Sequence, residues 1–173
     1  MQPGVTVQMQ ENTLFTIAGA LNAQGTTADQ ITFTSFAASP CLGCWKSLAF
    51  VSPSTNSVLK YVVVENSGST IGNAFQGNIF LDSASVEIEN VTSRHAKEAA
   101  LYAQNSSSSI KNSSFSDSAF GMKLSGAAYP QLLDGLSFAN NTAKDIFIDN
   151  TAQCGTVVGG YAAEPNKTNC PEL

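Results

Sequence analysis

Apolar residues recur along the chain in short alternating runs at a nearly constant interval. In one unit, Ile110 and Phe115 precede the alternating run Met122-Lys123-Leu124. Ile88 comes before Ile110, and Leu133 after it, by almost the same distance along the chain. The residues between are mostly small and polar, and no helical apolar rhythm runs through them. A repeat of this length, built from short strands, predicts a solenoid of stacked β-strands.

The repeat also predicts which side chains face the interior. Because side chains alternate along a strand, Ile88, Ile110 and Leu133 should form one internal apolar column, with neighbouring coils about 4.8 Å apart. Leu59 and Ile31 occupy the same place in the two preceding turns, which are longer. We therefore predict an all-β fold, a single-stranded parallel β-helix of about six coils.

The same repeat predicts where the chain bends and where its last strand lies. Asn90 and Asn112, which lie one repeat apart, are expected where the chain turns. Amides stacked at the strand spacing can hydrogen-bond to each other and to freed backbone groups. The residues 157–161 are predicted to add a final strand.

Two coils carry longer connections than the others. The step from Phe33 to Leu48 and the step from Val64 to Ile79 are equal in length, and each is about twice the corresponding step in the compact coils. Both insertions fall at the same corner of adjacent coils, so we expect these loops to leave one edge and pack together. The resulting side lobe would be formed by the protruding loops 35–47 and 65–78, and loops on a rigid scaffold often carry function.

Composition narrows the class of protein. A chain of 173 residues with 43% apolar content fits one domain, 1–173, with its own core. Charged residues make up only 12%, the net charge is -5, and Arg94 is the single arginine, which argues against nucleic acid as a partner. No apolar run approaches the ~18 residues of a membrane span. The start at Met1 shows no leader pattern, which we interpret as a trimmed or mature beginning.

The four cysteines predict an oxidising compartment. Cys41 and Cys44 have the spacing of a redox dithiol or of half a zinc site. A thioredoxin-like redox site would need a helix after the pair, and a four-cysteine zinc site would need Cys154 and Cys170 to lie much closer than about four coils away. Disulfides 41–44 and 154–170 are therefore favoured, the first bracing the side lobe and the second fixing a C-terminal cap or tail, 154–173. An even count of paired cysteines indicates an extracellular or cell-surface location.

Four segments resemble a known family. They are Pro3-Gly-Val-Thr-Val, Leu21-Asn-Ala-Gln-Gly, Ile31-Thr-Phe-Thr-Ser and Asn56-Ser-Val-Leu-Lys-Tyr-Val. Together they resemble the right-handed parallel β-helix repeat proteins of the pectin-lyase-like superfamily, in its secreted prokaryotic branch. The resemblance covers nearly the whole chain and implies a right-handed helix, but it says little about function. Cys44-Trp45-Lys46-Ser47-Leu48 departs from the Trp-Gly-Gly-Ile type of segment that members often have there.

One charged turn is the natural place to look for catalysis. The resemblance implies that a lyase of this superfamily would use a basic residue and Ca²⁺ held by acidic residues, which makes Arg94, His95 and Glu98 the candidates. Glu65, Glu87, Glu89 and Asp117 are the nearest other acids. A solvated charged turn is the favoured alternative, with no cofactor and no metal site.

Ligand contacts and glycans have separate candidates. Trp45, Phe75 and Phe36 in the side lobe could stack on sugar rings. Among the Asn-x-Ser/Thr sequences, Asn105 and Asn166 are the better glycan acceptors.

Two functions compete. The first is a non-catalytic extracellular structural or adhesive module, which could assemble with itself through an open first coil at 4–7 or join neighbouring domains of a larger surface protein. The alternative is a β-helix protein that binds or cleaves a polysaccharide.

Overall fold

The computed structural model describes residues 1–39, 41–69, 77–132, 134–157 and 168–170. Short parallel strands dominate them. The strands are β1 (Thr6–Met9), β2 (Leu14–Ile17), β3 (Asn22–Gln24), β4 (Ile31–Ser35), β5 (Ser47–Val51), β6 (Ser57–Glu65), β7 (Gly77–Asp82), β8 (Val86–Arg94), β9 (Ala99–Gln104), β10 (Ser109–Lys111), β11 (Ser114–Ser116), β12 (Phe120–Ser125), β13 (Gln131–Leu132), β14 (Ser137–Ala139) and β15 (Lys144–Ile148). A 3₁₀ turn (Thr151–Gln153) and the short helix α1 (Cys154–Val157) follow.

The strands stack in three parallel rows. Row A contains β3, the first half of β6, the first half of β8, β10 and β13. Row B contains β1, β4, the second halves of β6 and β8, β11 and β14. Row C contains β2, β5, β7, β9, β12 and β15. Because the chain visits rows A, B and C in the same order on each turn, the fold is a parallel β-helix, which confirms the predicted fold class.

The corner between rows A and B is a one-residue bend in the left-handed backbone region. Tyr61, Asn90 and Asn112 adopt φ values of 50°, 53° and 48° there, and Gly135 follows at 78°. The predicted bends at Asn90 and Asn112 are thus confirmed, although among the described residues no hydrogen bond joins their two side chains. A Cβ on Gly135 would lie 2.2 Å from Oδ1 of Asn112, so a larger residue there would have to displace the Asn112 amide.

The internal columns agree with the repeat in part. Ile88 pairs with Ile110 and with Leu59, and all three are fully buried. Ile31, however, pairs with Val62, so its predicted alignment with Leu59 is wrong. Leu59 and Val62 both point inward, one on each side of the bend at Tyr61. The apolar spacing along the chain therefore does not show which of them aligns with Ile31.

A second register prediction fails by one residue. Ile110 pairs with Leu132, not with Leu133, which lies outside the described residues. Two adjacent leucines give the same apolar signal, and the choice between them depends on how tightly the chain turns after β12. In row C the predicted alignments hold, since Met122 pairs with both Leu101 and Ile146.

The two long connections meet at the corner between rows B and C. The Cys44 N–H donates to the Asn66 carbonyl (2.9 Å), and the Gly68 N–H donates to the Lys46 carbonyl (2.8 Å). The expected contact between the connections is therefore present in their described parts. Residues 70–76 lie outside the described residues, and the protrusion of both loops as a side lobe stays a prediction.

The C-terminal tail returns to the last strand. Thr168 forms a parallel bridge with Ile146, and the Asn169 side chain both accepts from Ile148 N–H (2.7 Å) and donates to the Ile148 carbonyl (2.6 Å). The predicted strand from Val157 is wrong at its first residue, because Val157 ends helix α1. Residues 158–161 lie outside the described residues. In the described parts of the chain, no helix is long and apolar enough to cross a membrane.

Candidate functional site

The corner between rows B and C gathers most of the charged candidates. Glu65 ends β6 and Arg94 ends β8, so the strand register places them side by side. Nε and Nη2 of Arg94 both lie 2.8 Å from Oε2 of Glu65, and Thr34 donates to Oε1 at 3.0 Å. The guanidinium is therefore held against a carboxylate that a hydroxyl also orients.

His95 and Asp117 stand next to this pair on the stacked corner. Both have left-handed backbone conformations, and the His95 N–H donates to the Ser116 carbonyl at 3.3 Å. The His95 imidazole is exposed and makes no hydrogen bond with the described residues. A hydrogen bond with Ser116, then one with Asn140 and the nearby positive charges of His95 and Arg94, hold the pKa of Asp117 below its ordinary value.

Glu98 does not join this cluster. It lies across the turn, just before β9 of row C, where its backbone carbonyl accepts from the Phe120 N–H at 2.9 Å. Its side chain forms no ion pair among the described residues. Of the three catalytic candidates, the structure thus brings Arg94 and His95 together with Glu65 and leaves Glu98 aside.

A cavity of about 340 Å³ opens at this corner. It is lined by Cys41, Leu42, Glu65, Asn66 and His95. One wall is apolar and belongs to the first long connection, whereas the opposite wall is polar and belongs to the ends of β6 and β8. The sequence contains only an indirect signal for it, namely two insertions at one corner.

Of the three aromatic residues predicted to contact a ligand, two are described, and they differ in exposure. Trp45 is fully buried, and its indole N–H donates to the Glu65 carbonyl at 2.9 Å, so its predicted role in stacking on a sugar is wrong. Burial here follows from the pairing of the two connections, which closes over the ring. Phe36 is 61% exposed, and Phe75 lies outside the described residues.

Row C carries an aromatic surface that the sequence analysis missed. Tyr102, Lys123 and Phe147 occupy matching outward positions on β9, β12 and β15, and all are half-buried. The Lys123 ammonium lies 5.4 Å from the Tyr102 ring centre and 5.2 Å from that of Phe120, whose ring is 5.8 Å from Phe147. The signal was the central residue of each alternating run, which points outward in every coil. We call Tyr102, Phe120, Lys123 and Phe147 the row C aromatic surface.

The charges of row A pair with one another across strands. Lys60 lies 2.9 Å from Glu87 and 3.1 Å from Glu89, and Lys111 lies 3.2 Å from Glu89. Hydrogen bonding to Glu87, and next to Glu89, raises the pKa of Lys60. Hydrogen bonding to Lys60, and next to Lys111, lowers the pKa of Glu89. These four side chains form a continuous charge ladder over β6, β8 and β10.

Both predicted disulfides are present. Cys41 bonds to Cys44, and Cys154 bonds to Cys170. Disulfides fit an oxidising setting. Among the described residues, no group of three or more His, Cys, Asp or Glu side chains could hold a metal ion.

Only one of the two candidate glycan acceptors lies within the described residues. Asn105 is exposed, and its Oδ1 accepts from the Ala127 N–H at 2.7 Å, which leaves its Nδ2 without a hydrogen bond to the described residues. Asn166 lies outside the described residues. Glycosylation at either position stays a prediction.

Comparison with known proteins agrees with this architecture. The family described as the right-handed β-helix region matches residues 44–164, which is more than half of the chain. Searches of the curated proteins and of the solved structures give no significant match. The three stacked rows and the family match lead to one assignment: the chain belongs to the right-handed β-helix family.

Proposed function

We propose that this chain is an extracellular structural or adhesive module that uses its charged side chains as ties between strands. The charge ladder of row A carries the proposal. Lys60 and Lys111 are each held by carboxylates of neighbouring strands, so these charges neutralise one another along the stack. Exposed ion pairs add little stability, so the effect of the ladder is a surface on which these four charges are paired.

The corner cluster supports the same function. Arg94 is the strongest base of the predicted catalytic turn, and its guanidinium is held on Glu65. A guanidinium is always protonated in this setting, so it does not abstract a proton. The two bonds from Arg94 to Glu65 instead connect β6 to β8, as the ladder does on row A.

Strand edges offer a means of assembly. Among the described residues, β1, β2 and β3 each pair with a strand on one side only. Unpaired N–H and C=O groups at such an edge accept further parallel strands. We propose that the partner is a second copy of this chain or a neighbouring domain of a larger surface protein. No part of this proposal needs a nucleic acid.

Measuring the size and shape of the particles over a range of protein concentrations tests this assembly. Light scattering and negative-stain electron microscopy should show rods that lengthen with concentration. Thr6→Lys places a charge on edge strand β1 and should shorten the rods, whereas Thr32→Lys, its partner position on the inner strand β4, should not. A strict monomer at all concentrations would remove self-assembly and leave the neighbouring domain as partner.

Carbohydrate recognition is the second candidate, and the row C aromatic surface favours it. Half-buried rings on the outer face of a sheet can stack on the apolar faces of sugar rings. Lys123 among these rings supplies hydrogen-bond donors for hydroxyl or carboxylate groups. Cleavage of the sugar would need further groups, and Ca²⁺ would belong only to a lyase version of this candidate.

Binding to a polyuronate and to a neutral glucan tests this candidate. Tyr102→Ala should weaken binding by about tenfold, which corresponds to ~1.4 kcal/mol. Phe36→Ala is the comparison, because Phe36 is the exposed aromatic candidate away from row C, and a loss of binding in this variant alone would move the site to Phe36. Equal binding by the two variants and the unchanged chain would exclude the row C aromatic surface as the site.

A further inference from the structure

The two sulfur atoms of the Cys41–Cys44 disulfide have different surroundings. Cys41 is exposed, whereas Cys44 is only 4% exposed and belongs to the apolar core. An incoming thiolate therefore has access to Cys41 and not to Cys44. In the other disulfide, Cys154 is 2% exposed and Cys170 is partly buried, so neither residue is exposed as Cys41 is.

The backbone prepares Cys44 as the leaving group. The Cys41 N–H donates to Sγ of Cys44 at 2.9 Å. When the disulfide opens, negative charge develops on that sulfur, and a backbone donor already in place stabilises the thiolate. The sulfur that receives the charge is thus the buried one, and the sulfur open to attack is the other.

Two basic residues lie close to the disulfide loop. Cys41 lines the corner cavity together with His95 and with Glu65, whose carboxylate is paired with Arg94. A Cβ on Gly43, between the two cysteines, would lie 2.9 Å from Cδ of Lys97, so the lysine stem passes directly over the disulfide loop. A positive environment favours thiolates, and an imidazole can take the proton of an attacking thiol.

We propose that Cys41–Cys44 is a redox-active disulfide that exchanges with thiols of peptides or small molecules. A partner thiolate attacks Sγ of Cys41, the Cys41–Cys44 bond breaks, and its electron pair leaves on Cys44. A second partner thiolate then attacks the partner sulfur of the mixed disulfide and releases Cys41. The partner dithiol loses two electrons and becomes a disulfide, and the chain gains two electrons and two protons as a dithiol. A low-molecular-weight disulfide in the oxidising compartment restores the starting state.

The unmodified chain provides the first test, with its own second disulfide as the control. The protein is incubated with reduced glutathione, alkylated at intervals and analysed by peptide mass spectrometry. Cys41–Cys44 should open at least about tenfold faster than Cys154–Cys170, because only Cys41 combines access with a stabilised leaving group. Equal rates would overturn the proposal.

Single-cysteine variants test the direction of attack. In oxidised glutathione, the Cys41 thiolate of Cys44→Ser should attack the glutathione disulfide, release one reduced glutathione and accumulate as an adduct, whereas Cys41→Ser should accumulate little adduct on Cys44. An equal yield of adduct on both variants, with circular dichroism unchanged, would contradict the assigned roles.

Turnover separates a redox site from a bridge that is merely easy to reduce. In oxidised glutathione, the chain should accelerate disulfide formation in a reduced dithiol peptide. Cys154→Ser/Cys170→Ser should keep this activity, and Cys41→Ser/Cys44→Ser should lose it. His95→Gln should lower the rate, because it removes the imidazole that takes the proton of the attacking thiol. If the chain and the Cys41→Ser/Cys44→Ser variant oxidise the peptide at the same rate, the disulfide is structural and the proposal is wrong.

Discussion

Replacement of Trp45 distinguishes a structural from a ligand-binding role for the only tryptophan. Its side chain is fully buried where the two long connections meet, and its N–H is used by the Glu65 carbonyl. A tryptophan that buries about 150–250 Å² contributes about 4–6 kcal/mol at ~25 cal/mol per Å². This is an upper estimate, since the unfolded chain already buries part of its surface. We expect Trp45→Ala to lower the free energy of unfolding by about 3–5 kcal/mol.

Urea denaturation followed by far-ultraviolet circular dichroism measures this loss without the tryptophan signal. Trp45→Phe keeps most of the ring volume and removes the donor, so it should cost about 1–2 kcal/mol. Phe36→Ala, at a site that is 61% exposed, should change stability by less than about 0.5 kcal/mol. A loss below about 1 kcal/mol for Trp45→Ala would refute the assignment of Trp45 to the core.

Three further predictions concern the ladder, a corner and the tail. Lys60→Met should flatten the dependence of the unfolding midpoint on pH. The pKa of Glu89 is lowered from 4.5, so its contribution to stability is present above that pH and is lost on acidification. The pKa of Lys60 is raised from 10.5, so its contribution to stability is lost at alkaline pH. An unchanged pH profile would contradict this. Gly135→Ala should destabilise the chain by about 1–3 kcal/mol through its positive φ and the contact with Asn112, and thermal unfolding that matches the unchanged chain would exclude that clash. Asn169→Ala should cost about 1–2 kcal/mol through two lost backbone contacts, which chemical denaturation can measure; no loss would show that the tail does not hold the last strand.

Residues with a clear local pattern were predictable. The alternating runs around Leu101, Met122 and Ile146 pair in the predicted register, because each has one apolar residue on either side of an outward residue. Failures occurred where two apolar residues competed for one place. Leu59 and Val62 both point inward across a bend, and only the strand pairing shows which of them continues the column from Ile31.

The candidate site was predictable in its composition and not in its geometry. The sequence places Arg94 and His95 in one turn, and it identifies Glu65 only as a nearby acid. The register of β6 against β8 brings Arg94 onto Glu65. The exposure of Cys41 and the burial of Cys44, which are close neighbours in the chain, likewise follow from a loop that packs on neighbouring coils.

The sequence by itself determined the repeat, the parallel strands, the bends at Asn90 and Asn112 and the disulfide partners. These depend on residue type and on intervals along one turn, which the order of residues contains directly. The tertiary structure alone decided that Trp45 is internal, that the row C aromatic surface exists, and that Cys41 is exposed while Cys44 is buried. Burial and access at these positions are set by residues one or two coils away, and the lengths of the intervening loops conceal which residues those are.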